Sequence, residues 1–384
     1  MRILRLIPNF YPLVSGPANQ AYHISQGLEK NNMRSPIITS DFGLKEPRFT
    51  EIFNKVKCLR FKSIFNIFQY SITPQLIKYL YNEKYDIIHA HSYRNFQSDI
   101  AFLISKIKKV PLVINTHGTV KAYLNFKNRY TFKVPYKIYD FFTFRSVLRK
   151  ADAIVVATKQ EFNEIKEFGI DENKVHVIPA GINLKFPKKS TKFESNKKIK
   201  LLFVGRISRN RRVELILMAF KILFQNIKDI ELWIVGGEER SSYTQQSGYM
   251  KELIYFCKKY NIHKNVHFTG NLSQNIIRDY YINSDIFVYT SDYENFGQTI
   301  LEAAAAGLPL ICTPVGIAND IIKDGKSGFL TFFNPKEIAD KIKFLILNEK
   351  ERNKFGQLIQ DIVKKKYRWE KIIEQYIKLY HNLL

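Results

Sequence analysis

The chain has 384 residues with 60 Lys/Arg against 35 Asp/Glu, a net charge of +25, 45% apolar residues and 25% charged ones. That length exceeds a single ordinary core and points to two domains of roughly 150–200 residues each, in a composition normal for a soluble globular protein. Cys58, Cys257 and Cys312 lie far apart, odd in number and without a CxxC pair, which supports neither a disulfide framework nor a zinc site and makes a reducing cytosol the default compartment.

The opening "MRILRLIPNFYP" is too short and interrupted for a secretory signal and reads as a first buried strand. "YPLVSGPANQ" then places Gly16 in a turn before a helical stretch, "ANQAYHISQGLEKN", with Ala18, Tyr22 and Leu28 available for one face. Backbone amides near Gly16 suit a phosphate, although Pro17 removes one donor; the stretch does not fit GxGxxG, which disfavours NAD. Further strands are expected at "SPIITS", "VKCLRF", "YDIIHAHS", "PLVINTHG", "AIVVAT" and "VHVIP". His89 and His91 are read at strand spacing, with only one able to face a ligand; without a third ligand nearby they make a weak metal site. His117 ends its strand at the rim where a ligand would sit, and is either structural or functional.

Residues 52–150 carry 18 Lys/Arg and four acids (Glu83, Asp86, Asp99, Asp140) and so supply the whole N-terminal excess of positive charge. Within them, 119–150 hold nine Phe/Tyr and eight Lys/Arg with one acid. This mixture suits an anionic membrane surface or an acceptor, through Lys121, Tyr123, Phe126, Lys127, Arg129 and Lys133. Stacking on nucleic acid, or a helix pair whose aromatics fill the core, are the alternatives.

The polar stretch 183–200 reads as an interdomain linker. A second α/β series follows: "IKLLFVG", "IELWIVGG", "VHFTG", "DIFVYTS", "LPLICTP" and "GFLTFF". Alternating strands and helices in both halves predict parallel sheets, which bind ligands at the carboxyl ends of their strands. In "FVGRISRNRR", Gly205 is followed by Arg206, Arg211 and Arg212, cations suited to a diphosphate or to a solvated helix start. In "SDYENFGQTILEAAAAG", Gly297 permits close backbone approach, and a helix near Gln298 aims unpaired N–H groups at an anion. Glu302, one turn in, is placed to accept hydrogen bonds from sugar hydroxyls, or is a surface Glu of an ordinary amphipathic helix. The uncharged run 303–319 contains Pro309 and Pro314 and is no membrane span.

These segments, in this order and ending in "YRWEKIIEQYIKLY", resemble the retaining glycosyltransferases of family 4, the group 1 type. The resemblance implies an α/β GT-B fold: two Rossmann-like domains facing across a cleft, with the last helix crossing back to the N-terminal domain. The implied divisions are an acceptor-side domain over 1–185, a nucleotide-sugar domain over 186–365 and the final helix over 366–384. It further implies that Glu302 holds the ribose, and that Arg206 and Arg211 bind the diphosphate near Gly205. Glu294, Asn295, Phe296 and Gly297 would engage the donor sugar, Thr299 would lie by the phosphates, His117 by the anomeric region and Gly16 on the phosphate and acceptor side. Arg206, Arg211, His117 and Glu294 are then the expected catalytic set. Pro17, Asn19, Ala180, Asn183 and Arg212 depart from the family pattern.

The expected activity is transfer of a hexosyl unit with retention, from a UDP- or GDP-sugar as co-substrate, to a saccharide or lipid-linked acceptor in cell-surface polysaccharide or glycoconjugate synthesis. Domain closure would exclude water. No cofactor, metal or nucleic acid is expected, and the location is cytoplasmic or peripheral on the membrane's cytoplasmic face. A GT-B phosphorylase or a sugar-nucleotide epimerase is the alternative, although neither a pyridoxal-phosphate lysine region nor an epimerase's acidic set is found. A basic nucleic-acid-binding protein is a further one, without a recognised motif.

Overall fold

The structure, a computed structural model, describes residues 1–13, 15–42, 44, 49–67, 70–118, 120, 130–143, 145–184, 198–238 and 248–384. It divides into two compact units, one of Met1–Gly181 with Trp369–Leu384, the other of Ile182–Arg368. Each is an α/β layer structure on a predominantly parallel sheet.

Unit 1 contains strands β1 (Ile3–Leu6), β2 (Ile37–Ser40), β3 (Thr50–Phe53), β4 (Val56–Phe61), β5 (Phe65–Ile67), β6 (Tyr70–Ile72), β7 (Ile87–His91), β8 (Leu112–Asn115), β9 (Ala153–Val156) and β10 (Val175–Val177). Eight of them form one sheet in the order β10-β9-β8-β7-β1-β2-β4-β3. All its pairs are parallel except the edge pair β3/β4, and β5/β6 stand apart as a hairpin. The seven expected strands are present. The edge strand β3 and the hairpin were not expected, because "TEIF" alternates between exposed and half-buried positions and lacks the apolar run of a central strand.

Side chains alternate across a strand, so the central strands contribute to two separate cores. Leu4, Leu6, Ile88, Ala90, Ile114 and Val156 fill one face. Ile3, Ile87, Val113, Ala153 and Val155 fill the other, beneath Ile24 and Leu28 of the helix Gly16–Lys30 and beneath the helix Trp369–Asn382. That last helix buries Trp369, Ile372, Ile373, Tyr376, Leu379 and Tyr380, one stripe at helical spacing. Each such large apolar side chain contributes about 1.5–3 kcal/mol when removed from water.

Unit 2 holds β11 (Ile199–Val204), β12 (Ile230–Val235), β13 (Val266–Gly270), β14 (Ile286–Tyr289), β15 (Leu310–Cys312) and β16 (Gly328–Leu330). They form a parallel sheet in the order β13-β12-β11-β14-β15-β16. The order reverses direction at β11, next to β14, and open sheets of this kind bind ligands beyond the carboxyl ends of the strands at such a point. The expected linker lies largely outside the described residues.

Unit 1 closes on Gly181. A Cβ there would lie 2.5, 2.7 and 2.9 Å from Cδ2, Cε3 and Cγ of the buried Trp369 ring. A rigid indole cannot retreat as a flexible chain would, so Gly181→Ala should destabilise unit 1 by about 1–3 kcal/mol through overpacking. A denaturant midpoint unchanged from the parent would show that the ring has room to move.

Candidate active site

In unit 2 the loops that follow the neighbouring strands β11 and β14 are laced together. The Thr290 hydroxyl donates to the carbonyls of Arg211 and Arg212, at 3.2 and 2.9 Å. The Asp292 N–H donates to Asn210 O at 2.8 Å, and Ser291 Oγ lies 3.0 Å from the same carbonyl. Arg211 donates through Nη1 to Ser291 Oγ at 3.0 Å and to Tyr293 O at 3.2 Å, and forms a short ion pair with Glu294 Oε1. The Tyr289 hydroxyl donates to that same oxygen. Both partners of the ion pair are largely buried, which strengthens it by excluding water. Burial, then the charge of Glu294, push the Tyr289 phenol upward, so it stays a donor. The two residues expected to grip opposite parts of a ligand, Arg211 and Glu294, therefore hold each other.

Arg212 occupies the left-handed region at φ 49°, an uncommon conformation for a residue with a Cβ. Ion pairs to Glu214 (2.6 Å) and Asp292 (3.2 Å) hold it. Arg206 is exposed at the end of β11, just after Gly205.

Gly297, at φ 90°, precedes the helix Gln298–Ala305, whose start has no side-chain cap. Its first N–H groups and the positive end of its dipole make this an anion-favouring position. Phe296 O accepts from Ile317 N at 2.7 Å, which fixes the turn from behind. Thr299 stands in the first helical turn, and its carbonyl and Glu302 Oε2 lie 3.3 and 3.0 Å from the Tyr281 hydroxyl. The buried Ala303, Ala304 and Ala305 bring the helix close to its neighbours; Gln360 donates to Ala305 O at 3.0 Å from the helix Glu349–Lys366. Unit 2 thus gathers Gly205, Arg206, Arg211, Glu294, Asn295, Phe296, Gly297, Thr299 and Glu302 on the loops after two adjacent strands and the helix that follows the second.

In unit 1, Gly16 begins the first helix, which Ser15 caps by accepting from Ala18 N at 3.2 Å. Gly16 is exposed and takes no left-handed conformation, so backbone geometry alone does not demand glycine. His117 is half-buried at φ 48° in the turn after β8. His91 Nδ1 lies 2.7 Å from His117 Nε2, with the rings stacked at 5.0 Å. His89 and His91 also stack, at 4.8 Å and 12°. This corrects the expectation that only one of them could face a given way, because residues two apart on a strand share a face. Among the described residues no three His, Cys, Asp or Glu side chains are grouped to hold a metal ion.

A residue that sequence reading passed over secures the His117 turn. Buried Glu161 accepts from Thr116 Oγ1 (2.5 Å) and Gly118 N through Oε1, and from Ala157 N (2.8 Å) through Oε2. The signal for it is Thr158-x-x-Glu161, a capping-box spacing: Thr158 Oγ1 does accept from Glu161 N at 3.1 Å. The Glu carboxylate itself reaches outward to two loops.

Lys121, Tyr123, Phe126, Lys127 and Arg129 lie outside the described residues, and Lys133 falls in the helix Tyr130–Thr143. That helix exposes Val134, Ile138, Phe141 and Phe142, which share one face at i, i+4, i+7 and i+8. Asp140 turns inward to pair with Arg94 at 2.7 Å. No described helix is long and apolar enough to cross a membrane.

The family model described as Glycosyltransferase Family 4 matches residues 14–186, and that of Glycosyl transferases group 1 matches 185–361. An uncharacterized glycosyltransferase of Methanocaldococcus jannaschii is 27% identical, with all of both chains covered. Sucrose-phosphate synthase from Thermosynechococcus elongatus has a similar structure, with a TM-score of 0.78 at 18% identity over 100% of this chain and 99% of the other. HepE of Anabaena, in complex with UDP and glucose, is similar at a TM-score of 0.75 and 18% identity over 98% of each chain. Both likenesses give unit 1 and unit 2 together the GT-B fold.

Glu302 is poised in its titration. Burial pushes its carboxyl up to about 7, against the opposing effects of the Tyr281 hydrogen bond and the Arg278 charge. A raised carboxyl favours the folded state below its unfolded value near 4.5, and that advantage is lost as pH rises through about 7. Glu302→Gln removes the charge while leaving an oxygen for Tyr281. Without ligand it should melt higher than the parent at about pH 8, with the difference closing by about pH 4.5. An equal melting temperature at both pH values would show that solvent relieves the carboxylate.

Proposed function

As the chain belongs to the group 1 glycosyltransferases of family 4, we propose that it moves a hexosyl unit from a UDP- or GDP-sugar to a saccharide or lipid-linked acceptor with retention at the anomeric carbon. The observation that carries this reading is the arrangement in unit 2. A guanidinium–carboxylate pair lies on loops beyond adjacent parallel strands, and an uncapped helix N-terminus and a second carboxylate belong to the helix that follows.

In this reading Glu302, ionised above about pH 7, accepts hydrogen bonds from the ribose hydroxyls. Arg206, Arg211 and the first turn of the helix Gln298–Ala305, including Thr299, carry the charge that develops on the leaving diphosphate. These groups are in place before the reaction, so their stabilisation needs no reorganisation as the bond breaks. Glu294 faces the donor sugar together with the Asn295–Gly297 backbone. Its hold on Arg211 orients both groups, and Tyr289 fixes the carboxylate plane. Gly205 gives the diphosphate close access to the end of β11.

For unit 1 the reading assigns the sugar and acceptor side to the carboxyl edge of its sheet, with Gly16 at one helix start and His117 on the turn held by Glu161. Burial, then the charge of Arg5, lower the His117 imidazole to about 3, so it acts as a neutral hydrogen-bond partner for a hydroxyl. The exposed face of Val134, Ile138, Phe141 and Phe142, beside the basic excess of residues 52–150, fits an anionic membrane surface on the cytoplasmic side.

Glu302→Ala should weaken nucleotide-sugar binding about tenfold to a hundredfold, as expected for lost hydrogen bonds to a charged acceptor. Calorimetry with UDP-glucose and GDP-mannose measures this, and an affinity equal to the parent's would remove Glu302 from the donor site. Replacing Phe141 and Phe142 by Ser should lower co-sedimentation with phosphatidylserine vesicles at low salt. If the parent chain itself stays in the supernatant, the membrane surface is not the partner of this face.

A further inference from the structure

Arg5 lies in the middle of β1 with its side chain fully buried. Among the described residues no carboxylate pairs with it. Its Nη1 instead reaches His89 Nδ1 at 3.1 Å and His91 Nε2 at 2.9 Å. Nη2 donates to the Tyr380 hydroxyl at 3.1 Å, and Nε donates to Ser25 Oγ at 3.0 Å. Guanidinium is always protonated in proteins and carries only donors. Every atom it meets must therefore accept.

This single constraint sets the protons of three histidines in turn. His91 Nε2 must present a lone pair to Arg5, so neutral His91 carries its hydrogen on Nδ1. That N–H points at His117 Nε2, 2.7 Å away, which must accept in its turn. His117 therefore carries its own hydrogen on Nδ1, and it cannot gain a proton on Nε2 without breaking its bond to His91. His89 accepts at Nδ1 from Arg5 and from the Tyr380 hydroxyl, 2.6 Å away, and so is protonated on Nε2. That Nε2 has no hydrogen-bond partner among the described residues.

We infer that Arg5 is a positioning residue that acts through His91 to hold His117 as a neutral imidazole with its proton on Nδ1. Its relevance to transfer rests on the role given to His117 above, whereas the proton assignment stands on geometry alone. The charged and titratable groups around the chain of rings are consistent with it. Arg5 comes from β1, His89 and His91 from β7, and Tyr376 and Tyr380 from the final helix. Glu161, from the helix Lys159–Glu167, accepts from the Thr116 hydroxyl and the Gly118 N–H on either side of His117, and among the described residues it makes no hydrogen bond or ion pair with Arg5. Burial lowers all three histidines, and the positive charge of Arg5 adds to the effect.

The test is nitrogen-detected imidazole NMR on the full chain with labelled histidine, with His117→Gln assigning the signal. His117 should show the Nδ1–H tautomer and no titration between about pH 5 and 8. In Arg5→Met its signal should become a tautomer mixture or titrate near the ordinary value of about 6.5. Arg5→Lys, which keeps a cationic donor, should restore much of the parent spectrum. With a nucleotide-sugar bound, Arg5→Met should also lower turnover at least about tenfold while donor affinity stays unchanged. An Nε2–H or titrating His117 in the parent overturns the inference, whether or not any variant folds. A folded Arg5→Met with the parent tautomer overturns it as well. If no nucleotide-sugar binds to the parent, the transfer reading fails while the proton assignment is still decided by the spectra.

Discussion

Unit 1 is organised around a buried cation, Arg5, with which no carboxylate pairs among the described residues. Moving a charge out of water is costly unless hydrogen bonds replace its hydration, and here Ser25, His89, His91 and Tyr380 supply them. Those acceptors come from the first helix, a central strand and the final helix, so Arg5 joins parts of the chain far apart in sequence. The same layer includes Asn115, whose amide donates to the Tyr376 hydroxyl at 3.1 Å, and Gln20 beside that hydroxyl. A polar seam thus runs through an otherwise apolar face of the sheet, and its hydrogen bonds favour one arrangement of the elements over its neighbours, with His89 Nε2 left without a partner among the described residues.

Unit 2 meets its electrostatic demands in the opposite way. Its buried guanidinium, on Arg211, sits directly against a carboxylate, and the pair ties together two loops after adjacent strands. Charge neutrality is local there, whereas the helix N-terminus at Gly297 has no side-chain cap and the half-buried Glu302 has its carboxyl raised by burial. The proposed function uses this division, with fixed dipoles and cations around a diphosphate and acceptors around hydroxyls.

Much of this architecture was legible. Buried parallel strands are short continuous runs of β-branched and apolar residues, and "AIVVAT", "IKLLFVG" and "LPLICTP" show that pattern without a structure. β3 did not, since only one side of "TEIF" meets the protein. That the candidate residues of unit 2 fall on neighbouring loops was legible, because they follow strands in segments of distinctive composition. Their pairing was not, for sequence order carries no information on whether Arg211 faces a ligand or Glu294. Arg5 was hidden for a similar reason. In "RILRLI" it reads as an interruption of a strand, and its partners lie 84, 86 and 375 positions away. His89 and His91 were visible as a pair, but placing them on one face requires counting side-chain directions along β7.

The chain's path through the two units also bears on how it is made. Residues 182–368 form unit 2 without a break, whereas unit 1 takes its final helix from residues 369–384, which the ribosome adds after all of unit 2. Until then Ile3, Ile87, Val113 and Val155 lack the part of their apolar cover that this helix supplies, and Arg5 lacks the hydroxyl of Tyr380. Domains ordinarily fold in the order of their synthesis. In this chain the half that is begun first is completed last, and the growing polypeptide lacks the final helix over that sheet face throughout the making of the other half.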